Sequence, residues 1–292
     1  MTLATRIWSL LFALAGAFWA VGGAGFPFGA NDPRAAQVGS LFSTAEPLPT
    51  GIVMVVAGLL GAVLVRVRPF AWAMAFSLVI LVPDTRVVQN FAYLFMGYTG
   101  LWDGPLLFMV FCIAGGALWA VMGWRGSSEV PRWGRAATYA AALLALPYAA
   151  VRLAWAAGIP LGVPDGFLME GAEAAFAEAV LGGLCVAGAV LTLGLVQRWG
   201  EVFPRWIPYL RGRRVPVWLA VVPGLAAAAM MTQAGLRALI WFVRGEITMT
   251  SETWGAFGPA LSWLPWGLAL FSATYAYFLR RTHGMKRSVL VE

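Results

Sequence analysis

Histidine and lysine are nearly missing from this 292-residue chain: His283 and Lys286 are the only ones, and both stand close to its C-terminus. A helical core without imidazole excludes bis-histidine haem centres, di-iron oxygenases, histidine-rich zinc sites and serine–histidine intramembrane proteolysis. A core without an amine excludes a retinal Schiff base. Cysteine is as scarce. Cys112 and Cys185 both fall inside apolar runs and form no CxxC, so they read as small core residues, with no disulfide framework and no metal cluster. Neither a Walker A loop nor a dinucleotide fingerprint occurs, and the Gly126-Ser127-Ser128 stretch has no base near it in sequence. An enzyme built on this chain would have to work with carboxylates and arginines alone. The sequence points to no catalytic residue, cofactor or metal.

Charge is thin overall, at 11% of residues, whereas 61% are hydrophobic and the mean hydropathy is +0.78. A soluble fold must cover its surface largely with polar residues. This chain has too few of them, and a bilayer supplies the apolar solvent it needs. Fifteen tryptophans and 34 glycines suit that setting, where Trp sits at headgroup level and small residues let helices approach. The net charge is +7 and arginine carries nearly all of it. In a soluble protein such a balance suggests nucleic acid. Here the basic residues cluster between apolar runs, so a positive-inside bias explains them and no nucleic-acid partner is expected.

A membrane span needs about 20 mostly apolar residues. Runs that qualify cover 7–27, 50–66, 69–97, 104–124, 136–157, 173–196, 216–243 and 256–279. The first lacks a cleavage site and is expected to be retained. In the third, Pro83, Asp84 and Arg86 interrupt the pattern, and the stretch from Val87 to Phe95 reads either as a continuation or as a re-entrant or interfacial piece. Arg6, Arg66, Arg68, Arg125, Arg132, Arg135, Arg198, Arg205, Arg211, Arg213, Arg214, Arg280, Arg281, Lys286 and Arg287 all fall on one side of an eight-helix threading. The other basic residues are Arg34, Arg86, Arg152, Arg237 and Arg244. The expected fold is therefore all-α: a polytopic bundle of eight transmembrane helices with both termini in the cytoplasm, in a bacterial inner membrane.

The two halves of the chain echo one another. Gly25-Phe26-Pro27-Phe28-Gly29 with Asp32 ends the first run, and Gly158-Ile159-Pro160-Leu161-Gly162 with Asp165 ends the fifth. Trp19-Ala20 and Trp155-Ala156 precede them. Arg68-Pro69 and Trp72 resemble Arg214, Pro216 and Trp218; Gly104-Pro105 resembles Gly258-Pro259; Arg86 matches Arg237. The pattern predicts two parallel four-helix repeats, residues 1–133 and 134–292, the second ending in a short basic tail. Gly-x-Pro-x-Gly is also ordinary helix-stop chemistry, so this signal has a second explanation.

Charges inside a bilayer are costly and mark candidate sites. Arg152 on the fifth run and Glu178 on the sixth lie at similar depth in one helical hairpin, which predicts an ion pair. Arg86, Arg237, Gln89 and Gln233 are the other ligand- or ion-site candidates, and together the six would line an outward-facing polar site between the halves. The alternatives are a helix-locking pair, interfacial anchors and interhelical hydrogen bonds. On the inner side Arg205, Arg211, Arg213 and Arg214, with Trp199 and Trp206, form a basic aromatic loop suited to anionic lipid headgroups.

That loop, from Trp199-Gly200-Glu201-Val202-Phe203-Pro204-Arg205-Trp206 through Gly212-Arg213-Arg214-Val215-Pro216, resembles a segment of uncharacterised multi-pass membrane proteins of high-GC bacteria. The stretches Arg152-Leu153-Ala154-Trp155 and Gly158 to Gly162 are similar to another. The resemblance covers the second half of the chain and implies an inner-membrane location with no activity attached. The residues themselves leave two main functional classes, with a carboxylate-based lipid-modifying enzyme behind them. One is a small-molecule or ion permease for an anionic or zwitterionic ligand, with Glu178 as counter-charge or proton carrier. The other is a non-catalytic scaffold or accessory subunit with a membrane-protein partner.

Overall fold

The structure is a computed structural model that describes residues 1–35, 40–94, 99–124, 132–168 and 171–289. The side chains of 88, 91–94 and 283–289 lie outside that description. Arg125, the Gly126-Ser127-Ser128 stretch and Tyr98 fall outside the described residues, as do the side chains of His283, Lys286 and Arg287.

Each apolar run contains helix among the described residues. The first two are α1 (Thr2–Ala20) and α2 (Pro47–Val63). The third comprises α3 (Arg68–Phe76), a π turn over Ser77–Leu81, and α4 (Thr85–Leu94); the fourth is α5 (Gly104–Trp124). Then come α6 (Gly134–Leu144) with α7 (Leu146–Ala156), α8 (Ala172–Leu193), α9 (Val217–Val243), and α10 (Trp254–Leu261) with α11 (Trp263–Val289). No strand occurs among the described residues, only an isolated antiparallel bridge between Val202 and Arg214.

Among the described residues, five helices are long and apolar enough to cross a membrane: α1, α5, α6–α7 taken together, α8 and α9. The helix α2 and the stretch Arg68–Leu81 are apolar but shorter. The last run carries four of its aromatic positions as Trp263, Trp266, Tyr275 and Tyr277, which lowers its hydropathy. The surface these helices present is apolar: Ile52, Val56 and Leu60 on α2 and Phe176, Leu184 and Leu191 on α8 are all exposed. Water does not accept such continuous greasy faces and lipid does, so the fold fits a membrane protein.

Proline chemistry explains where the runs break. Pro83 cannot donate to Val79 and its ring crowds that carbonyl. The chain widens into the π turn, where Val82 N donates to Ser77 O at 3.0 Å, and restarts as α4. Pro147 separates α6 from α7, and there Ser262 Oγ, at the break between α10 and α11, donates to Leu144 O at 3.2 Å. Two boundaries differ most from the sequence reading, while the ends of α2 and the C-terminal end of α8 shift by about one turn. The helix α1 ends at Ala20, because Gly22 and Gly25 take positive φ and the Gly-Phe-Pro-Phe-Gly stretch is loop. The last helix continues to Val289, so the basic tail begins as helix.

The chain divides into two compact units, Met1–Ser127 and Ser128–Glu292; the sequence reading drew this line after residue 133. In the first, α1 packs on α2 and α5, while α3 and α4 pack on α5. Its core is aromatic, with Trp8, Phe12, Trp19, Phe26, Phe28 and Trp119 around Met54 and Leu78. The α1–α2 contact is close: a Cβ on Gly51 would lie 2.4 Å from Gly16 O, and one on Gly58 2.4 Å from Ser9 O. Only hydrogen fits at those crossings. In the second unit α8 packs on α6 and α7, α11 packs on α6 and α9, and α10 joins α7, α9 and α11. Its core is alanine-rich, with Ala141, Ala142, Ala145, Ala189, Ala228 and Ala273 around Trp266, Leu270 and Tyr277.

Candidate functional site

In the second unit Arg152 and Glu178 meet as the sequence reading expects. Tyr148, Arg152 and Trp155 are spaced four and three residues apart on α7, so they share one face. Arg152 Nη1 donates to both Glu178 carboxylate oxygens, at 2.9 and 2.8 Å. Its guanidinium carbon lies 4.8 Å from the Tyr148 ring centroid and 4.9 Å from that of Trp155. Tyr148 is in turn set edge-on to Trp263 at 5.3 Å. The cation is thus held by a carboxylate on α8 and by two π faces from its own helix. The pair is not sealed: the side chains of Arg152 and Glu178 remain 23% and 25% exposed.

Arg86, in the first unit, stands in the opposite condition. It is 0% exposed, and its guanidinium is bound on two sides. Nε donates to Asp84 Oδ1 at 3.0 Å and Nη2 to Asp84 Oδ2 at 2.6 Å. Nη1 donates to Asp32 Oδ1 at 3.1 Å, and Nη2 also pairs with Asp32 Oδ2. Asp103 Oδ2 lies 3.5 Å from Nη1 and the same distance from Arg34. Two arginines therefore face three aspartates. Asp84 owes its place to the break after Pro83: it precedes α4 and accepts the Arg86 backbone N–H at 3.0 Å as a cap. Asp32 comes from the loop behind α1, where it also accepts the Arg34 N–H at 3.1 Å.

Sequence reasoning singled out Arg86 but missed this set of partners. The Pro-Asp-x-Arg spacing was the available signal, since an aspartate just ahead of a helix start holds both the free backbone N–H and a basic side chain two residues on. Asp32 was noticed only as a repeat marker, and Asp103 gave no signal.

The remaining candidates are placed separately. Gln233 and Arg237 are both buried and sit one turn apart on α9. Gln233 Nε2 has no hydrogen-bond partner among the described residues. Gln89 on α4 is exposed. Arg86 and Gln89 thus belong to the first unit, and Arg152, Glu178, Gln233 and Arg237 to the second. Glu173 stands in the first turn of α8, the position a helix dipole favours for a carboxylate. Among the described residues no group of histidine, cysteine and carboxylate side chains is placed to hold a metal ion.

The basic loop is more ordered than its composition suggests. Phe203 N donates to Arg213 O, Gly212 N to Phe203 O and Val215 N to Glu201 O, which makes 201–215 an irregular hairpin. Arg205, Arg211, Arg213 and Arg214 are all exposed on it. The chain matches no family model, no curated protein and no solved structure, so these geometries stand on their own.

Proposed function

We propose that the chain is an eight-span protein of a bacterial inner membrane, both termini cytoplasmic, that works as a permease for a small anionic or zwitterionic solute at Arg152 and Glu178. One observation carries the reading. One Arg152 nitrogen donates to both Glu178 oxygens and the guanidinium is framed by Tyr148 and Trp155, yet a quarter of each side chain stays open. A solute carboxylate can compete with Glu178 for that guanidinium, and the rings supply the apolar wall a small ligand needs. Charge kept at such cost in a bilayer favours a working site over an anchor.

Two features support the wider architecture. In both units the first run packs on the second and the fourth, and the third packs on the fourth. Trp19 Nε1 donates to Ala24 O at 3.3 Å and Trp155 Nε1 to Leu161 O at 3.0 Å, so each Gly-x-Pro-x-Gly region is held by the tryptophan before it. Both agree with parallel four-helix repeats.

The test is uptake into proteoliposomes, measured against panels of small organic anions and zwitterions under imposed pH and potential gradients. Arg152→Met/Glu178→Met should fold and lose uptake. Protein that moves no solute in any panel, or a double variant that moves it unchanged, overturns the permease reading.

A second reading has its own support. The buried Arg86–Asp84–Asp32 core of the cluster ties α4 to the loop behind α1, as a scaffold or accessory subunit requires, and α8 offers a broad apolar surface to a membrane-protein partner. Co-purification of a stoichiometric partner, with no uptake, favours it.

A further inference from the structure

The hairpin of residues 201–215 joins α8 to α9, and the start of α11's basic end holds it in place. Tyr277 Oη donates to Gly200 O at 2.7 Å, and Arg281 Nη1 donates to Tyr277 Oη at 2.6 Å. Arg281 Nη2 reaches Val215 O at 2.8 Å, and Arg280 bonds both Leu195 O at 2.6 Å and Glu201 at 3.0 Å. These contacts fall on the two ends of the stem, Glu201 and Val215, and on Leu195 and Gly200 just ahead of it. A loop that only had to connect two helices would need none of them.

The tip is the reverse. Trp206 is 80% exposed and Tyr209 94% exposed, and Tyr209 takes φ +64°, a left-handed conformation that disfavours a bulky side chain. Strain and exposed rings together mean that the fold spends stability to aim aromatic side chains outward. Around them Arg205, Arg211 and Arg213 are exposed with no acidic residue between Pro204 and Pro216.

We propose that this hairpin is an interfacial anchor that binds anionic lipid headgroups. Trp206 and Tyr209 enter the headgroup layer, where amphipathic rings are most stable. Arg205, Arg211 and Arg213 bind the lipid phosphates, and the Arg280–Arg281–Tyr277 latch fixes the depth at which they do so. The proposal rests on the reading that α8 and α9 cross the bilayer.

Full-length protein lacking Cys112 and Cys185 is given one environment-sensitive label at Leu210→Cys, or at Leu184→Cys as a control on the lipid-facing side of α8. Each is reconstituted in nanodiscs of phosphatidylcholine with phosphatidylglycerol, brominated on one lipid or the other. Quenching at Leu210 by the brominated anionic lipid should exceed quenching by the zwitterionic one, with local enrichment changing about fivefold per arginine. The triple variant R205Q/R211Q/R213Q, whose side chains are exposed and outside the latch, should erase the preference. Equal quenching by the two lipids overturns the proposal. So does a label shielded instead by a second copy, seen as homo-transfer that rises with protein density. Quenching at Leu184 but not at Leu210 overturns the anchor alone; its absence at both sites overturns the membrane reading as well.

Discussion

Arg86 and Arg152 are the same residue under two opposite solutions to the cost of charge in an apolar medium. In the first unit the guanidinium is enclosed and bound by carboxylates on two sides, with a third close by. In the second it has one carboxylate, two ring faces and an open side. Burial without water demands that every donor be matched, so Arg86 gathers partners from a helix cap, the loop after α1 and the turn before α5. An arginine near a boundary can leave part of its solvation to water or headgroups and needs fewer partners. Sealed charge fixes structure; open charge remains available for exchange.

The comparison breaks most readily at Arg86. Arg86→Met leaves Asp32 and Asp84 buried without a counter-charge, a loss of about 3–5 kcal/mol or outright failure to fold. Thermal unfolding in detergent, followed by size exclusion, reads it directly. Asp32→Asn keeps the shape and some of the hydrogen bonding, so its cost is smaller, about 1–3 kcal/mol. A variant at Arg86 as stable as the parent ends the claim that the two sites differ in kind.

Next in size is a packing prediction in the second unit. Gly255 N donates to Gly162 O at 2.8 Å, and a Cβ on Gly255 would stand 2.1 Å from Leu161 O. Gly255→Ala must push the Gly-x-Pro-x-Gly loop off the start of α10, at about 1–3 kcal/mol. The first unit's Gly29 is packed against Ala45 O instead, in the loop ahead of α2. The two loops dock on different neighbours, and Gly255→Ala melts should leave the first unit's proteolytic pattern unchanged.

Arg152→Met comes third. Half of the partnership is lost at a site still open to solvent, so the expected cost is about 1–2 kcal/mol, and Arg152→Met/Glu178→Met should recover most of it. If the single variant costs as much as Arg86→Met, the pair is structural and the contrast collapses.

The apolar runs were legible in the sequence because period and length mark helices over wide windows; each run contains helix among the described residues, and five of those helices are long and apolar enough to cross a membrane. The Arg152–Glu178 pair was legible too, since two charges of opposite sign at matched depth in one hairpin have few other partners. The Arg86 cluster was not. Asp84 stands two residues from Arg86, but Asp32 and Asp103 come from loops elsewhere in the chain, and only loop conformations bring them to it. The latch was missed for another reason. Arg280 and Arg281 read as inside-facing charges, and nothing in their spacing marks Gly200, Glu201 or Val215, 66 to 81 residues away, as partners.

The smallest effect tests the proposed repeat most sharply. Asp32 and Asp165 occupy matching positions after the two Gly-x-Pro-x-Gly stretches, just as Arg86 matches Arg237. If matching positions meant matching roles, Asp165→Asn would cost as much as Asp32→Asn. Asp165, however, is exposed, whereas Arg237 lies buried on α9. A carboxylate at the surface loses little when neutralised, so Asp165→Asn should shift stability by no more than about 0.5 kcal/mol. A near-zero value beside a clear loss for Asp32→Asn means that two halves sharing helix order have parted in their charge chemistry, with the first keeping a closed lock and the second leaving its arginine to pair elsewhere. Equal losses would place Asp165 inside a paired network and remove the asymmetry on which the open site at Arg152 depends.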